Sequence, residues 1–223
     1  FENLYYSAKL SLKGLNKAQI TKKVIEVLQS LGLYKIRKLR VGSVLEKIIS
    51  GGQRKRLNIA LELIREPDIL FVDEPTSGLS SRDSENIMDL LKELALSGKI
   101  VFVVIHQPSS NIFKLFDRLF IMDDGGYIVY DGFPLNAIVH FKTYSYHGNS
   151  HERECSVCGN VNPEQIFNII DAKIVDEYGN ETDRRKRSPR DWHKLYLKHR
   201  PENNFEEVNT PPSSDSRLPS KFQ

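Results

Sequence analysis

The chain has 223 residues, 39% hydrophobic and 27% charged, with a formal net charge of +3. This is the composition of a soluble globular protein with room for one buried core and an appendage. The basic residues are scattered apart from 35–40 and 184–187, so nothing in the charge calls for a nucleic-acid partner.

Two cysteines, Cys155 and Cys158, lie too close together to staple a large fold, which argues for a reducing compartment. No secretory signal opens the chain, and apolar runs such as 100–105 fall far short of the about 18 residues that a membrane helix needs. A cytosolic piece is expected. The first residue is Phe1, and Met88 and Met122 sit inside helical or strand patterns, so an internal fragment is expected too.

Asn16 stands ahead of Ile20, Val24, Val27, Leu28 and Leu31, which repeat at helical spacing, and Gly32 follows. The pattern predicts a capped helix ending at that glycine. Residues 54–65 predict a second helix, starting just after Gly51-Gly52 and ended by Pro67. Ile69-Leu70-Phe71-Val72-Asp73 is a short apolar run of the kind that forms a strand buried on both faces of a parallel sheet.

Ser81 or Asp83 starts a third helix, with Ile87, Leu90, Leu91 and Leu94 on one face and a stop near Gly98; residues 100–105 predict a second buried strand. Strand, helix and strand make a right-handed parallel unit, whose functional residues gather at the carboxyl ends of the strands. Asp73, Glu74 and His106 fall there. Residues 119–122 and 127–130, joined by Asp123-Asp124-Gly125-Gly126, predict a hairpin. After about Phe141 the composition shifts, and Asn162-Pro163 and Ser188-Pro189 open helices over 164–170 and 190–199.

The chemistry-bearing residues fall between these elements. Ser50-Gly51-Gly52-Gln53 precedes a helix, where backbone N–H groups, the serine hydroxyl and the helix dipole all favour an anion such as phosphate. Taken alone, such a turn is only a helix start. Phe71-Val72-Asp73-Glu74 ends an apolar strand on two acids, the arrangement by which P-loop ATPases hold Mg²⁺ and polarise an attacking water; the competing reading is a solvated acidic strand end. His106 ends the next strand, and adjacency in a parallel sheet brings it towards Glu74.

Together these segments are similar to the motifs of ATP-binding-cassette (ABC) ATPases. Ile49-Ser50-Gly51-Gly52-Gln53-Arg54-Lys55-Arg56 resembles the signature, Asp73-Glu74 the Walker B pair, Ser77-Gly78-Leu79-Ser80 the D-loop and His106 the switch histidine. His106-Gln107-Pro108-Ser109-Ser110, residues 113–117 and Tyr130-Asp131-Gly132 resemble subfamily G, the sterol, pigment and drug exporters; Glu2-Asn3-Leu4 resembles the stretch after that subfamily's Q-loop. The resemblance covers residues 1–141, and more weakly 162–170.

The resemblance implies an α/β, partial P-loop NTPase fold with a parallel sheet core and a small C-terminal extension. Residues 1–141 would be the later part of the nucleotide-binding domain, 142–200 an extension and 201–223, with Pro211-Pro212-Ser213-Ser214, a linker towards a membrane domain. It implies ATP and Mg²⁺ as ligands. Glu74 would act on the attacking water, His106 would steady the γ-phosphate, and Asp73 would help to hold Mg²⁺. Ser50, Gly51, Gly52, Gln53 and Ser77 would line the nucleotide, with the signature reaching ATP held by a second nucleotide-binding domain in a head-to-tail dimer. A transmembrane domain, expected in the same parent chain, would place the module at the cytoplasmic face of a membrane.

Two departures stand out. The family's Gly-rich Walker A loop and Q-loop glutamine would lie before Phe1, so the isolated chain is expected to be inactive. Ser80 replaces the usual D-loop aspartate. Arg54, Lys55 and Arg56 read as a solvated or partner-facing first turn, and Asp83, Asp123 and Asp124 as turn and capping residues.

His147, His151, Cys155 and Cys158 offer an N₂S₂ set for zinc; incidental thiols are the competing reading, because a lone C-x-x-C lacks a second matched pair. The run 183–187 suits an anionic lipid surface or an exposed charged stretch. Two other readings of the whole remain: a soluble, non-transport cassette ATPase, and a degenerate module that acts only through an active partner.

Overall fold

The computed structural model describes residues 1–42, 48–145 and 162–199, which form two compact units, 1–106 and 107–199. Among the described residues no helix is long and apolar enough to cross a membrane. The fold is α/β, and its first two strands pair in parallel, as expected of a parallel sheet core.

The first unit opens with helix α1 (Glu2–Ser11), which the sequence pattern does not predict: it buries only Leu4 and Ala8, one i,i+4 pair. Helix α2 (Lys17–Ser30) starts as predicted, with Asn16 accepting from the Gln19 N–H and the Gln19 side chain accepting from the Asn16 N–H. Its buried stripe is Ile20, Val24, Val27 and Leu28, and Gly32 follows with a φ of 66°.

Helix α3 (Gly51–Leu63) begins three residues earlier than predicted and takes in both glycines. A second capping box explains this: Ser50 Oγ accepts from the Gln53 N–H at 3.1 Å, and Gln53 Oε1 accepts from the Ser50 N–H at 3.0 Å. That reciprocal pair outweighs the poor helix propensity of Gly51 and Gly52.

Strand β1 (Ile69–Asp73), helix α4 (Ser81–Leu96) and strand β2 (Ile100–Val104) form the predicted parallel unit, paired in register from Ile69 with Ile100 to Asp73 with Val104. Helix α4 packs on β2 and buries Ile87, Leu90, Leu91 and Leu94. The expectation that both faces of these strands are buried is corrected. Leu70 is buried, but Phe71 is 75% exposed and stacks on Phe102, ring centroids 4.9 Å apart, beside exposed Ile69, Ile100 and Val104. Successive side chains of a strand point to opposite faces, and in this two-stranded sheet one of those faces is uncovered.

The second unit contains a short helix α5 (Ser110–Phe113) and the predicted hairpin, β3 (Leu119–Asp123) with β4 (Tyr127–Gly132). Gly125 and Gly126, with φ of 81° and 77°, make its turn. Helices α6 (Pro134–Tyr144), α7 (Glu164–Ile170) and α8 (Pro189–His199) share one core with it, built around Ile121, Val129, Ile138, Phe141, Ile166 and Trp192.

Phe141, near which the composition shifts, is a fully buried residue of this core. The polar composition after Phe141 hid the few apolar side chains that α7 and α8 contribute. A small hairpin, β5 (Lys173–Val175) with β6 (Glu181–Arg185), is likewise absent from the sequence pattern. Its Arg185 is no solvated member of a charge run, because the guanidinium meets Asp123 at 2.7 Å, Asp124 at 3.1 Å and Asp171 at 2.5 Å.

Candidate functional site

The strand ends and loops of the first unit bring the predicted residues together. Asp73 closes β1, exposed, with its backbone paired to Val104. Glu74 extends the ladder by one bond, its N–H donating to the Val104 carbonyl at 2.9 Å. It then leaves the strand with a φ of 43°, a left-handed conformation that costs a non-glycine residue on the order of 1–2 kcal/mol. Outliers of this kind collect at functional sites, where the surroundings hold them in place.

His106 lies just past the end of β2. Its Nε2 stands 3.2 Å from Glu74 Oε1, with the side chains 79% and 44% exposed, so the pair faces outward and is open to a ligand. Parallel neighbours end side by side, which is why residues 32 positions apart in the chain meet here.

After Glu74 the chain turns back through bonds from the Ser77 N–H to the Glu74 carbonyl at 3.3 Å and from the Leu79 N–H to the Thr76 carbonyl at 3.2 Å. Gly78 supplies a φ of 72° within this loop. Ser80 then caps α4: its Oγ accepts from the Asp83 N–H at 3.2 Å and donates to Asp83 Oδ2 at 3.0 Å. Ser80 is thus the N-cap of α4.

The start of α3 lies against this loop. A Cβ on Gly51 would come within 3.1 Å of Leu79 Cδ2, and one on Gly52 within 3.1 Å of Asp83 Cγ and Oδ1. Ser50 and Gln53 are occupied with one another in the capping box, which uses the serine oxygen as acceptor and leaves its O–H as a donor. The N–H groups of Gly51 and Gly52, in the first turn, are donors that the helix ladder itself does not use. The motif therefore offers backbone donors from a helix start rather than from a loose glycine loop.

The reading of Lys55 as part of a solvated or partner-facing first turn is corrected. Its Nζ donates to the Glu74 carbonyl at 2.8 Å across 19 residues. No spacing along the chain marks this bond, which joins a helix to a strand end 19 residues away.

Asp73, exposed at the end of β1, would offer Mg²⁺ one carboxylate ligand, which suits an ion that keeps several waters and takes substrate phosphates as further ligands. Among the described residues, no group of three or more His, Cys, Asp and Glu side chains could hold a metal ion. The zinc set His147, His151, Cys155 and Cys158 lies outside the described residues, and nothing described supports zinc.

Residues 2–77, which carry the signature helix and the strand ending in Asp73-Glu74, match the model of the family described as "ABC transporter". The chain carries part of an ABC transporter ATPase domain, similar to those of the G subfamily. The ABC transporter G family member 28 of Arabidopsis thaliana is 45% identical over 132 residues, 59% of this chain and 12% of the relative. The broad substrate specificity ATP-binding cassette transporter ABCG2 of Rattus norvegicus is 39% identical over 147 residues, 66% of this chain and 22% of the relative. The ABC transporter G family member 22 of Arabidopsis thaliana is 34% identical over 203 residues, 88% of this chain and 27% of the relative. This ABC chain accordingly spans about a quarter or less of the length of these relatives.

Proposed function

We propose that this chain is the ATP-hydrolysing module of a subfamily G-like exporter, acting with a longer polypeptide at the cytoplasmic face of a membrane. The observation that carries the reading is the His106–Glu74 pair, 3.2 Å apart at the ends of adjacent parallel strands, with Asp73 beside it. Phosphoryl transfer needs an oriented water and compensation of charge on the transferring group, and little else from the protein. Glu74 orients and polarises the water, His106 steadies the γ-phosphate, and Asp73 holds Mg²⁺ through one carboxylate. Magnesium, when bound, neutralises charge developing between the phosphates.

Ser50, Gly51, Gly52 and Gln53 present the start of α3 to ATP held by a second nucleotide-binding domain in a head-to-tail dimer, and Ser77 lies on the loop beside that junction. A Gly-rich phosphate loop with its lysine does not occur within these 223 residues. The reading therefore assigns nucleotide binding to a cassette longer than this chain, and the relatives' greater length supports that assignment.

The test compares ATP binding and hydrolysis by this chain with those of a form extended into its parent gene, each with and without Glu74→Gln. Turnover by the extended form alone, reduced at least 100-fold by Glu74→Gln with binding intact, is the expected result. An extended form that neither binds nor hydrolyses ATP would establish the degenerate module instead.

A further inference from the structure

Glu74 is held at its backbone by more than the strand. Its N–H is committed to the Val104 carbonyl at 2.9 Å, and its own carbonyl accepts from Lys55 Nζ at 2.8 Å and, more weakly, from the Ser77 N–H at 3.3 Å. Between these bonds the residue adopts a φ of 43°, which a glutamate leaves unless its neighbours prevent it. The bond from Lys55 is the shortest of the three and the one that carries a charge. Its donor stem rises from the first turns of α3, the helix whose start lies against Leu79 and Asp83 through Gly51 and Gly52, so the ammonium is presented from a fixed frame.

We propose that Lys55 is a positioning residue for the Glu74 carboxylate, holding the peptide at residue 74 in the left-handed conformation that sets the carboxylate against His106. The inference rests on the reading of Glu74 as the residue that orients the attacking water. Without the ammonium, the carbonyl keeps, among the described residues, the 3.3 Å bond to Ser77, and the backbone relaxes towards ordinary φ. The carboxylate then swings away from the position it shares with His106. Lys55 touches neither the water nor the phosphate; its whole effect passes through Glu74.

The test uses the full-length protein that carries this segment and measures steady-state ATP hydrolysis, nucleotide affinity and thermal unfolding. Lys55→Met and Lys55→Gln, which remove the charge and shorten or blunt the donor, are expected to lower kcat roughly tenfold while KM for ATP stays within about twofold, the split expected when alignment rather than binding is lost. Lys55→Arg, which restores a charged donor, is expected to recover most of kcat. Lys22→Met, on the exposed face of α2, serves as the surface control.

Single-turnover hydrolysis then separates positioning from general damage. In a Glu74→Gln background, Lys55→Met is expected to add no further loss, because the two substitutions remove one unit. A kcat within about twofold of the unsubstituted protein, or the same tenfold loss repeated on top of Glu74→Gln, overturns the inference. If Glu74→Gln itself hydrolyses ATP at the unsubstituted rate, the reading of Glu74 falls and this inference falls with it, a result visible before Lys55 is changed.

Discussion

Leu79 and Gly51 touch across the junction of loop and helix: a methyl placed on the glycine would lie 3.1 Å from the leucine Cδ2. The same closeness recurs one residue on, between Gly52 and Asp83. The signature helix and the segment that follows the strand acids are therefore packed as one block, and its fit can be tested residue by residue.

Gly52→Ala would put its Cβ 3.1 Å from the Asp83 carboxyl, which is itself held by the Ser80 hydroxyl at 3.0 Å. Alanine gains up to about 1 kcal/mol of helix propensity, but yielding space costs the Ser80–Asp83 bond and some packing. A net destabilisation of under about 1 kcal/mol is expected. In an Asp83→Ala background the same substitution should stabilise, by about 0.5–1 kcal/mol. Denaturant unfolding of the four proteins measures both values.

Ser80→Ala removes the cap of α4 and is expected to cost about 1 kcal/mol. Ser80→Asp keeps an acceptor for the Asp83 N–H, yet it cannot donate to the Asp83 carboxylate and sets a second negative charge against it. It should therefore fall between serine and alanine at neutral pH and improve as the pH drops towards the carboxylate range. Thermal unfolding at about pH 7 and in the carboxylate range near pH 4 checks the order.

His106→Ala removes the imidazole that stands 3.2 Å from the Glu74 carboxylate. Both side chains are partly open to solvent, so folding stability should change by less than about 0.5 kcal/mol. Under the proposed function, ATP turnover by the extended protein should fall about 100-fold. A large loss of stability with turnover intact would give the histidine a structural role.

His140 gives the second unit a dependence on acid. Burial, with a smaller contribution from the charge of His199, lowers its pKa from 6.5 to about 4. Its ring packs against Tyr130, Phe141 and Tyr144, and among the described residues its Nε2 has no hydrogen-bond partner. Well above pH 6.5 the ring is neutral in both folded and unfolded chains and contributes no pH dependence.

As the pH falls from 6.5 towards 4, the unfolded state takes up the proton first, and stability drops by on the order of 2–3 kcal/mol. His140→Phe keeps an aromatic ring in the cluster and should flatten this part of the stability profile. An unchanged slope across that acid range would show that another group carries the sensitivity.

Much of the site was legible in the sequence, because its residues sit at element ends that local rules mark. The capping residue Asn16, the helix that follows Ser50, the apolar run into Asp73-Glu74, the helix from Ser81 and the strand into His106 all lie within a few positions of their predicted places. The pairing of His106 with Glu74 also followed, since a strand–helix–strand order in a parallel sheet leaves adjacent strand ends together. Helix α1 and the small hairpin of β5 and β6 escaped, because each buries too little apolar surface to leave a periodic pattern.

By itself the sequence determined the strand–helix–strand unit, the β3–β4 hairpin and the residue types at the strand ends, which depend on local spacing, and its motifs carried the resemblance to ABC ATPases. Only the tertiary structure decided that Lys55 reaches the Glu74 carbonyl, that Gly51 and Gly52 belong to a helix packed on the following loop, and that Phe141 is fully buried. These are contacts between residues distant in the chain, set by how side chains fill the space between elements. No periodicity along the chain records that filling.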